Sequence, residues 1–202
     1  MTVGKRLFDL ILALALIALL AIPFSVLLCL LLITEGRPVF FVSERMKAPD
    51  RGFRLWKLRT MRPERGDSGV SGSDKSARIT RRGSWLRKYR ADEIPQLWNV
   101  LKGDMSFVGP RPPLRQYVER FPELYADVLQ CRPGITGLAT LYFHKHEEFL
   151  LASCTSREET DQVYVRRCIP RKATLDLLYR ERRNFCLDLA ILLKTVAKVV
   201  QR

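Results

Sequence analysis

No charged residue occurs in residues 10–34, although charged residues make up 28% of the whole chain. A buried helix of a soluble protein seldom stays uncharged over such a length. A signal peptide has a shorter apolar segment that ends in small residues at a cleavage site, whereas Glu35-Gly36-Arg37-Pro38 follows here. A helix of this length, at about 1.5 Å per residue, is just able to cross a hydrocarbon core about 30 Å thick. The sequence therefore predicts that residues 1–36 reside in a membrane.

Pro23 divides this apolar segment into two arms, each too short to cross a bilayer alone. Lys5 and Arg6 precede the segment, and Arg37 is the first of several basic residues that follow it. Basic flanks favour the cytoplasmic side of a membrane. A straight span would place one flank outside, whereas a re-entrant hairpin that bends at Pro23 keeps both inside. The sequence favours the hairpin, with Lys5 and Arg6 as membrane anchors, and leaves the straight span as the alternative.

Acidic residues and paired cysteines are both scarce. The chain has 35 lysines and arginines against 21 aspartates and glutamates, a formal net charge of +14. This excess predicts an anionic partner, which is a membrane surface, a phosphate-bearing small molecule or nucleic acid. The five cysteines are odd in number and lack C-x-x-C spacing, so the sequence indicates neither a zinc site nor a disulfide framework and is typical of a reducing, cytosolic compartment. Residues 37–202 suffice for one compact domain.

This remaining sequence predicts an α+β fold that is mainly helical. Residues 38–42 and 53–61 are typical of short strands in a β-hairpin, and the glycine- and serine-rich residues 65–76 are typical of a mobile loop. The predicted helices are residues 84–90, 95–102, 114–130 with an interruption at Pro122, 171–180 and 185–202.

The last predicted helix is amphipathic. Its apolar residues cluster toward one side, namely Leu189, Leu192, Val196, Val199 and Val200. Lys194, Lys198 and Arg202 form a basic stripe on another side. Such a helix either lies at the headgroup level of a membrane or packs on the core of its own domain, and the sequence leaves both open.

Two adjacent carboxylates, Asp92 and Glu93, precede Pro95, a residue suited to the first turn of a helix. Acidic residues at such a position often do no more than cap the helix. Here Arg87 lies before the pair, and Arg111 follows in a rigid Pro-Arg-Pro turn. Nearby arginines lower the pKa of a carboxyl group, and an ionised carboxylate can bind Mg²⁺ or attack phosphorus. Because arginine clamps phosphate oxygens, the sequence predicts phosphate chemistry at a membrane.

Several short motifs occur in order along the chain. They are Lys5-Arg6 with Asp9, the proline-centred apolar segment, Trp56-Lys57-Leu58-Arg59-Thr60-Met61, Leu86-Arg87, Asp92-Glu93-Ile94-Pro95-Gln96, Asn99-Val100-Leu101-Lys102-Gly103-Asp104-Met105-Ser106, Gly109-Pro110-Arg111-Pro112 and Arg132-Pro133-Gly134-Ile135-Thr136-Gly137. Together they resemble the bacterial sugar transferase family, the monotopic phosphoglycosyl transferases. The resemblance covers about residues 5–141, resumes near residues 176–189, and is to the small, single-domain members.

The resemblance implies a two-step reaction on the cytoplasmic face of the bacterial inner membrane. The nucleophile, Asp92, would attack the β-phosphorus of a UDP-sugar, form a covalent sugar-phosphate intermediate and release UMP. Polyprenol phosphate would then accept the sugar phosphate and become a polyprenyl diphosphosugar for glycan assembly, as in exopolysaccharide or lipopolysaccharide synthesis. Mg²⁺ would be the cofactor, with Asp92 as its ligand.

The resemblance also implies roles for other residues of the chain. Glu93 would complete a catalytic acidic pair with Asp92, assisting metal placement or proton handling. Arg87 and Arg111 match positions suited to holding phosphates, and Lys57 and Arg59 match a basic strand beside the site. Asp188 matches an acidic position to which no role is assigned.

The chain departs from the family pattern after Gly137-Leu138-Ala139, where relatives commonly have a Gln-Val-Asn-Gly-Arg-like stretch. Residues 140–170 show no match, so the sugar is the part of the inference that transfers least. His144 and His146 lack a third metal ligand nearby in sequence, and we interpret them as surface or partner-contacting residues.

Two other functions remain as alternatives. The basic excess and the aromatic residues would also suit a membrane-anchored nucleic-acid-binding or scaffold protein. The chain lacks a nucleic-acid-binding module, however, and the acidic pair would repel a nucleic-acid backbone, so no nucleic acid is expected as a partner. The other alternative is an enzyme in which Asp92 only binds metal and the sugar phosphate passes directly between the two substrates.

Overall fold

The structure is a computed structural model, and it describes residues 2–64, 70 and 72–201. Half of the predicted loop at residues 65–76 lies outside the described residues. Its last part does not form a loop, because Ser73–Arg78 is a 3₁₀ helix. The fold is α+β and mainly helical, as predicted, with one long apolar helix at the N-terminus and small sheets.

Helix α1 extends from Val3 to Glu35. It begins where the Thr2 hydroxyl accepts a hydrogen bond from the Lys5 amide, and it ends at Gly36, whose φ of +69° is a conformation that favours glycine. Pro23 lies inside the helix, which continues through it. Within the described part of the chain, α1 is the only helix long and apolar enough to cross a membrane.

Strands β1 (Phe40–Ala48) and β2 (Arg51–Leu58) form the predicted antiparallel hairpin, with Phe40 opposite Leu58. The first strand extends six residues beyond the prediction, which ended at residue 42. The prediction ended too early because residues 43–48 are largely polar. The partner strand and the burial of Met46 stabilise them in an extended conformation.

A second sheet, which the sequence did not predict, consists of β3 (Ser106–Val108) and β4 (Gly134–Thr136). The two strands are parallel, and Ser106 lies opposite Gly134. Their backbones approach so closely that a side chain on Gly134 would collide with the Gly109 amide. Strands of three residues have too few positions to show a period, so the turn residues around them dominated the sequence pattern.

Eight further α-helices lie in the described part of the chain, together with the 3₁₀ turn Ala91–Glu93 and the π-helix Tyr164–Cys168. The α-helices are α2 (Arg81–Lys88), α3 (Gln96–Lys102), α4 (Arg115–Arg120), α5 (Pro122–Val128), α6 (Leu138–Ala152), α7 (Arg157–Val163), α8 (Ile169–Arg182) and α9 (Phe185–Val200). The predicted interruption at Pro122 is confirmed, since α4 ends before it and α5 begins with it. Helix α7 and all but the first two residues of α6 lie in residues 140–170, and neither helix was predicted.

The core has three parts, and α1 contributes to two of them. Ala13, in the first arm of α1, packs with β2, α3 and β3, whereas Leu31, in the second arm, packs with Leu58 and Leu86. The third part joins Met46 to helices α4–α8. Both arms of α1 therefore lie against the domain formed by the rest of the chain.

Helix α9 exposes most of the apolar side that the sequence predicted, and a neighbouring face packs on the domain. Ile191 is buried and Leu192 packs partly against the core, whereas Leu189, Leu193 and Val196 are exposed. One apolar face packs on the domain and a second is exposed. The packed face agrees with the alternative in which the helix packs on its own domain, and the headgroup location stays a prediction.

Candidate active site

The acidic pair lies in a tight turn between two helices. After α2, Arg90 adopts a left-handed conformation with φ of 56°, which is uncommon for a residue with a side chain. A single 3₁₀ turn, Ala91–Glu93, follows and leads into α3. Asp92 and Glu93 are both buried there, with 7% and 8% of their surface exposed.

Glu93 is surrounded by three cations. Its carboxylate accepts hydrogen bonds from Lys57 at 2.9 Å and from Arg90 at 2.6 Å, and Arg111 lies 3.5 Å away. Burial alone would raise the pKa of Glu93, but the charges of Lys57, Arg90 and Arg111 outweigh it and hold this pKa well below its usual range. Glu93 is thus a fixed negative charge that orients three basic side chains.

Asp92 has a different environment, although it is the adjacent residue. Its shortest ionic contact is 4.0 Å, to Lys57, and its carboxylate has no hydrogen-bond partner among the described residues. Burial, aided by the charge of Glu93, raises the pKa of Asp92, while Lys57, Arg87 and Arg90 offset this only in part. The sequence led us to expect a pKa below the ordinary value of an aspartate. That expectation is wrong, because the effect of desolvation on the pKa of Asp92 outweighs the attraction of the nearby arginines.

The other predicted site residues are divided between two places. Lys57 contacts both carboxylates, and Arg111 approaches Glu93. Arg87 donates a hydrogen bond to the Thr60 hydroxyl at 2.8 Å and lies near enough to Asp92 to affect its pKa. Arg59 instead donates hydrogen bonds to the carbonyls of Glu35 and Gly36 at 2.7 and 3.1 Å.

The residues predicted to anchor the membrane segment bind the domain. Lys5 pairs with Asp188, and Arg6 donates to the carbonyls of Val100 and Leu101 at the end of α3. Asp188 also accepts a hydrogen bond from Tyr179 at 2.6 Å. The structure therefore gives Asp188 the role that the sequence left open, which is to join α1, α8 and α9.

Two further cations near the acidic pair were not among the predicted site residues. Arg90 donates two hydrogen bonds to Glu93, at 3.1 and 2.6 Å. Arg45, on β1, has a buried guanidinium Nε without a hydrogen-bond partner among the described residues. Burial and the nearby charge of Arg111 lower the pKa of Arg45 to about 10. The only sequence signal for Arg45 is its inward position on a strand that the prediction ended too early.

The two histidines of α6 do not converge on a common point. His144 contacts Glu148 at 3.4 Å, whereas His146 stacks on Phe149. In the described part of the chain, no three His, Cys, Asp or Glu side chains are grouped so that they could hold a metal ion. Their interpretation as surface or partner-contacting residues stays a prediction.

An apolar cavity of about 190 Å³ adjoins the acidic pair. It lies between the middle of α1 and the start of α3, and its lining includes Leu20, Phe24, Ile94, Pro95 and Trp98. Since Ile94 directly follows Glu93, the site has a polar part at the carboxylates and an apolar part beside Pro23 of α1.

Comparison with known proteins gives a family match over the whole chain. The model of the family described as bacterial sugar transferase matches residues 1–202. An uncharacterized sugar transferase of Bacillus subtilis is 37% identical over 97% of this chain and 87% of its own length. The UDP-glucose:undecaprenyl-phosphate glucose-1-phosphate transferases of Xanthomonas campestris and Escherichia coli are 36% and 35% identical over 82% and 80% of this chain. The match spans only 35% and 36% of those two relatives.

Proposed function

The chain belongs to the bacterial sugar transferase family, and we propose that it transfers a sugar phosphate from a UDP-sugar to polyprenol phosphate. Relatives with matching sequence are named for this kind of transfer to undecaprenyl phosphate. The observation that carries the mechanism is the contrast between the two carboxylates. Three cations hold Glu93, whereas the carboxylate of Asp92 has no hydrogen-bond partner among the described residues.

In the first step, a carboxylate oxygen of Asp92 attacks the β-phosphorus of the UDP-sugar. The bond from this phosphorus to the bridging oxygen breaks, and UMP leaves with the electron pair. In the second step, a phosphate oxygen of polyprenol phosphate attacks the aspartyl phosphate and releases the carboxylate as polyprenyl diphosphosugar forms. An oxygen that accepts no hydrogen bond retains its lone pairs for attack, which supports Asp92 rather than Glu93 as the nucleophile.

The cations around the pair would hold the transferred phosphate. Phosphoryl transfer depends mainly on positioning and on neutralising charge at the phosphate. Lys57 lies between the two carboxylates, and Glu93 orients it together with Arg90 and Arg111. We propose Arg87 and Arg111 as phosphate-binding residues. A direct role for Arg59 stays a prediction, because its guanidinium is bound to the end of α1.

The residues fit Mg²⁺ as a cofactor that substrate helps to bind. Mg²⁺ is usually held by one or two carboxylates together with substrate phosphates and water. The donor set here matches this, since Asp92 offers a carboxylate without a hydrogen bond while Glu93 is occupied by cations. We propose Asp92 as the ligand. When bound, the ion neutralises charge on the phosphates of the substrate.

We also propose that α1 is a re-entrant hairpin and that the enzyme is monotopic on the cytoplasmic face. Support comes from both ends of α1, which contact the same domain. Arg6 binds α3 at the first end, and Arg59 binds the Glu35 carbonyl at the second. Between them, Ile22 and Val26 expose apolar side chains beside Pro23. A straight span would place the two ends on opposite sides of the bilayer.

Labelling of single cysteines at the two ends of α1 tests this topology. Thr2→Cys and Thr34→Cys are made separately in a variant that lacks the exposed Cys29 and Cys186. Because a hairpin places both ends in the cytosol, a membrane-impermeant maleimide should label neither position in spheroplasts and both positions in inverted vesicles. Labelling of one position in spheroplasts would instead identify a straight span. Pro23→Ala should shift the population toward that pattern, because it restores the missing backbone donor and straightens the helix.

Exposed aromatic and apolar side chains on other helices support membrane contact by the domain itself. Trp85 on α2, Trp98 on α3 and Leu193 on α9 are each more than half exposed. Tryptophan is enriched at the membrane–water interface. We propose that α2, α3 and α9 lie at the headgroup level.

Incubation of the enzyme with donor alone tests the covalent mechanism. A UDP-sugar without polyprenol phosphate should release about one UMP per enzyme in a burst, as an accumulated covalent intermediate requires. Mass spectrometry should find the phosphosugar adduct on a peptide that contains Asp92. A panel of UDP-sugars serves to find the donor. Direct transfer between substrates predicts neither a burst nor an adduct, even with a donor that turns over when acceptor is added.

The nucleic-acid-binding alternative is not favoured. Lys57, Arg90 and Arg111 face a buried carboxylate rather than an open surface, and the match to a transferase family covers the whole chain. Oligonucleotide binding without turnover of any UDP-sugar would reverse this preference.

A further inference from the structure

A second cavity, of about 430 Å³, lies at the C-terminal end of α1. Thr34 and Glu35 form one wall, and Thr80 at the start of α2 contributes to another. Four arginines line it, and they are Arg59, Arg62, Arg81 and Arg82. We call it the arginine cavity.

The charges that line the arginine cavity do not balance. Glu35 is the only acidic residue among the lining residues that the structure describes, and it lies 3.9 Å from Arg82. Arg59 is bound to backbone carbonyls of Glu35 and Gly36. Arg62 and Arg81 are exposed, and among the described residues their guanidinium groups have no ion pair. Two guanidinium groups are therefore available to an anion.

Backbone hydrogen bonds hold the walls of the cavity together. The Arg62 amide donates to the Arg78 carbonyl at 2.9 Å, and the Thr80 amide donates to the Thr60 carbonyl at 3.1 Å. The Thr80 hydroxyl also caps α2 by accepting from the Gly83 amide. The positions of Arg62 and Arg81 thus depend on ordered backbone on both sides.

Exposed apolar residues occur beside residues that line the arginine cavity. Ile33, next to Thr34 in α1, is 80% exposed. Trp85 lies one helical turn after Arg81 on α2 and is also exposed. If α1 enters the membrane as proposed above, this cavity lies where hydrocarbon meets headgroups.

The arginine cavity is distinct from the reacting carboxylates. The cations that contact Asp92 and Glu93 are Lys57, Arg90 and Arg111, and none of them lines it. We propose that the arginine cavity binds the phosphate of an anionic phospholipid headgroup. Arginine matches phosphate oxygens with paired donors, and the uncompensated charge of Arg62 and Arg81 favours a lipid with net negative charge. This proposal rests on the proposed membrane location of α1.

The test compares a double variant with a charge-matched control. Arg62→Gln/Arg81→Gln removes the two available cations, and Arg166→Gln/Arg167→Gln removes two exposed arginines that do not line the arginine cavity. Each full-length protein is placed in nanodiscs of phosphatidylcholine with fluorescent phosphatidylglycerol, and binding is measured by energy transfer from tryptophan. Wild type and control should prefer phosphatidylglycerol, and Arg62→Gln/Arg81→Gln should lose about thirtyfold in affinity, as expected for two arginines at an anionic surface.

The remaining outcomes show whether the arginine cavity binds the phosphate of a phospholipid or that of polyprenol phosphate. Retained preference in Arg62→Gln/Arg81→Gln, or an equal loss in the control, would overturn the proposal. A raised KM for polyprenol phosphate with unchanged lipid preference would also overturn it and assign the cavity to the acceptor. UMP release from donor alone in detergent should be unchanged in both variants. If wild type releases no UMP from any UDP-sugar, the proposed function is wrong. The lipid measurement would still show whether the arginine cavity binds an anionic phospholipid.

Discussion

Asp92→Asn is expected to abolish UMP release, with a loss of at least about four orders of magnitude, as is typical when a catalytic nucleophile is removed. Asparagine has nearly the same shape as aspartate, but its amide is neutral and does not form the acyl phosphate. The carboxylate of Asp92 has no hydrogen-bond partner among the described residues, so the substitution breaks no hydrogen bond that the structure shows and removes only the 4.0 Å ionic contact with Lys57. The measurement is burst and steady-state UMP release with a UDP-sugar that wild type turns over.

The same variant is expected to be more stable than wild type at neutral pH. The pKa of Asp92 is raised in the folded protein, so protonation of this residue favours the folded state. Its contribution to the free energy of unfolding is fully present below the ordinary pKa of an aspartate and is lost as the pH rises through the pKa of the folded state. Asparagine, which is neutral throughout, avoids that loss. A gain of about 1 kcal/mol would raise Tm by about 2–4 °C at this chain length.

Thermal unfolding in detergent at pH 7 and near pH 3 distinguishes a lost nucleophile from a damaged fold. The gain in Tm should be present at pH 7 and should vanish at the lower pH, where Asp92 is protonated as well. Turnover that survives the substitution would exclude Asp92 as the nucleophile. A fall in Tm at pH 7 would show that its carboxylate has a structural partner.

Glu93→Gln is expected to have the largest effect on stability, a loss of about 3–5 kcal/mol at pH 7, which is typical when one member of a buried ion pair is removed. Lys57 and Arg90, whose side chains are each 18% exposed, would be left without their closest counter-ion. Turnover should fall as well, because these cations and Arg111 would no longer be oriented toward the substrate phosphate.

The dependence of this loss on pH identifies its electrostatic origin. The pKa of Glu93 is held well below its ordinary value in the folded protein, so its ionised carboxylate stabilises the fold. This contribution to the free energy of unfolding is fully present above the ordinary pKa of a glutamate and is lost as the pH falls through the pKa of the folded state. The difference in unfolding free energy between wild type and Glu93→Gln should therefore shrink on acidification below about pH 4. Asp92→Asn is the matched control, since it removes one charge from the adjacent residue and is expected to act in the opposite direction. A Glu93→Gln variant as stable as wild type at pH 7 would contradict the role of Glu93 as the counter-ion of the cluster.

These two expectations assign different roles to the two carboxylates. Glu93 neutralises and orients the cations, and the ion pairs that it forms leave its oxygens unavailable as a nucleophile. Asp92 is desolvated and has no hydrogen bond from the described residues, which destabilises its charge in the folded protein and, in the proposed mechanism, leaves it free for attack. Such a conflict between stability and function is expected at a catalytic residue.

Local features of this fold were predictable from the sequence alone. The uncharged residues 10–34 indicated the membrane helix, and the hairpin of β1 and β2 and the break at Pro122 followed from turn and strand signals. The positions of Asp92 and Glu93 beside arginines were also visible, although the assignment of Asp92 as nucleophile came from resemblance to a family. These features depend on residues within a few positions of one another, which is the range over which helical and strand periods act.

Only the tertiary structure decided which carboxylate is neutralised. Lys57 and Glu93 are 36 positions apart, and Arg45 approaches the site from a strand whose second half the sequence did not reveal. The parallel pairing of β3 with β4, the attachment of Arg59 to the end of α1, and the burial that raises the pKa of Asp92 are likewise consequences of long-range packing. A sequence pattern reports what a residue can do beside its neighbours. Desolvation and ion pairing depend on which distant side chains surround it, and that is determined only when the chain has folded.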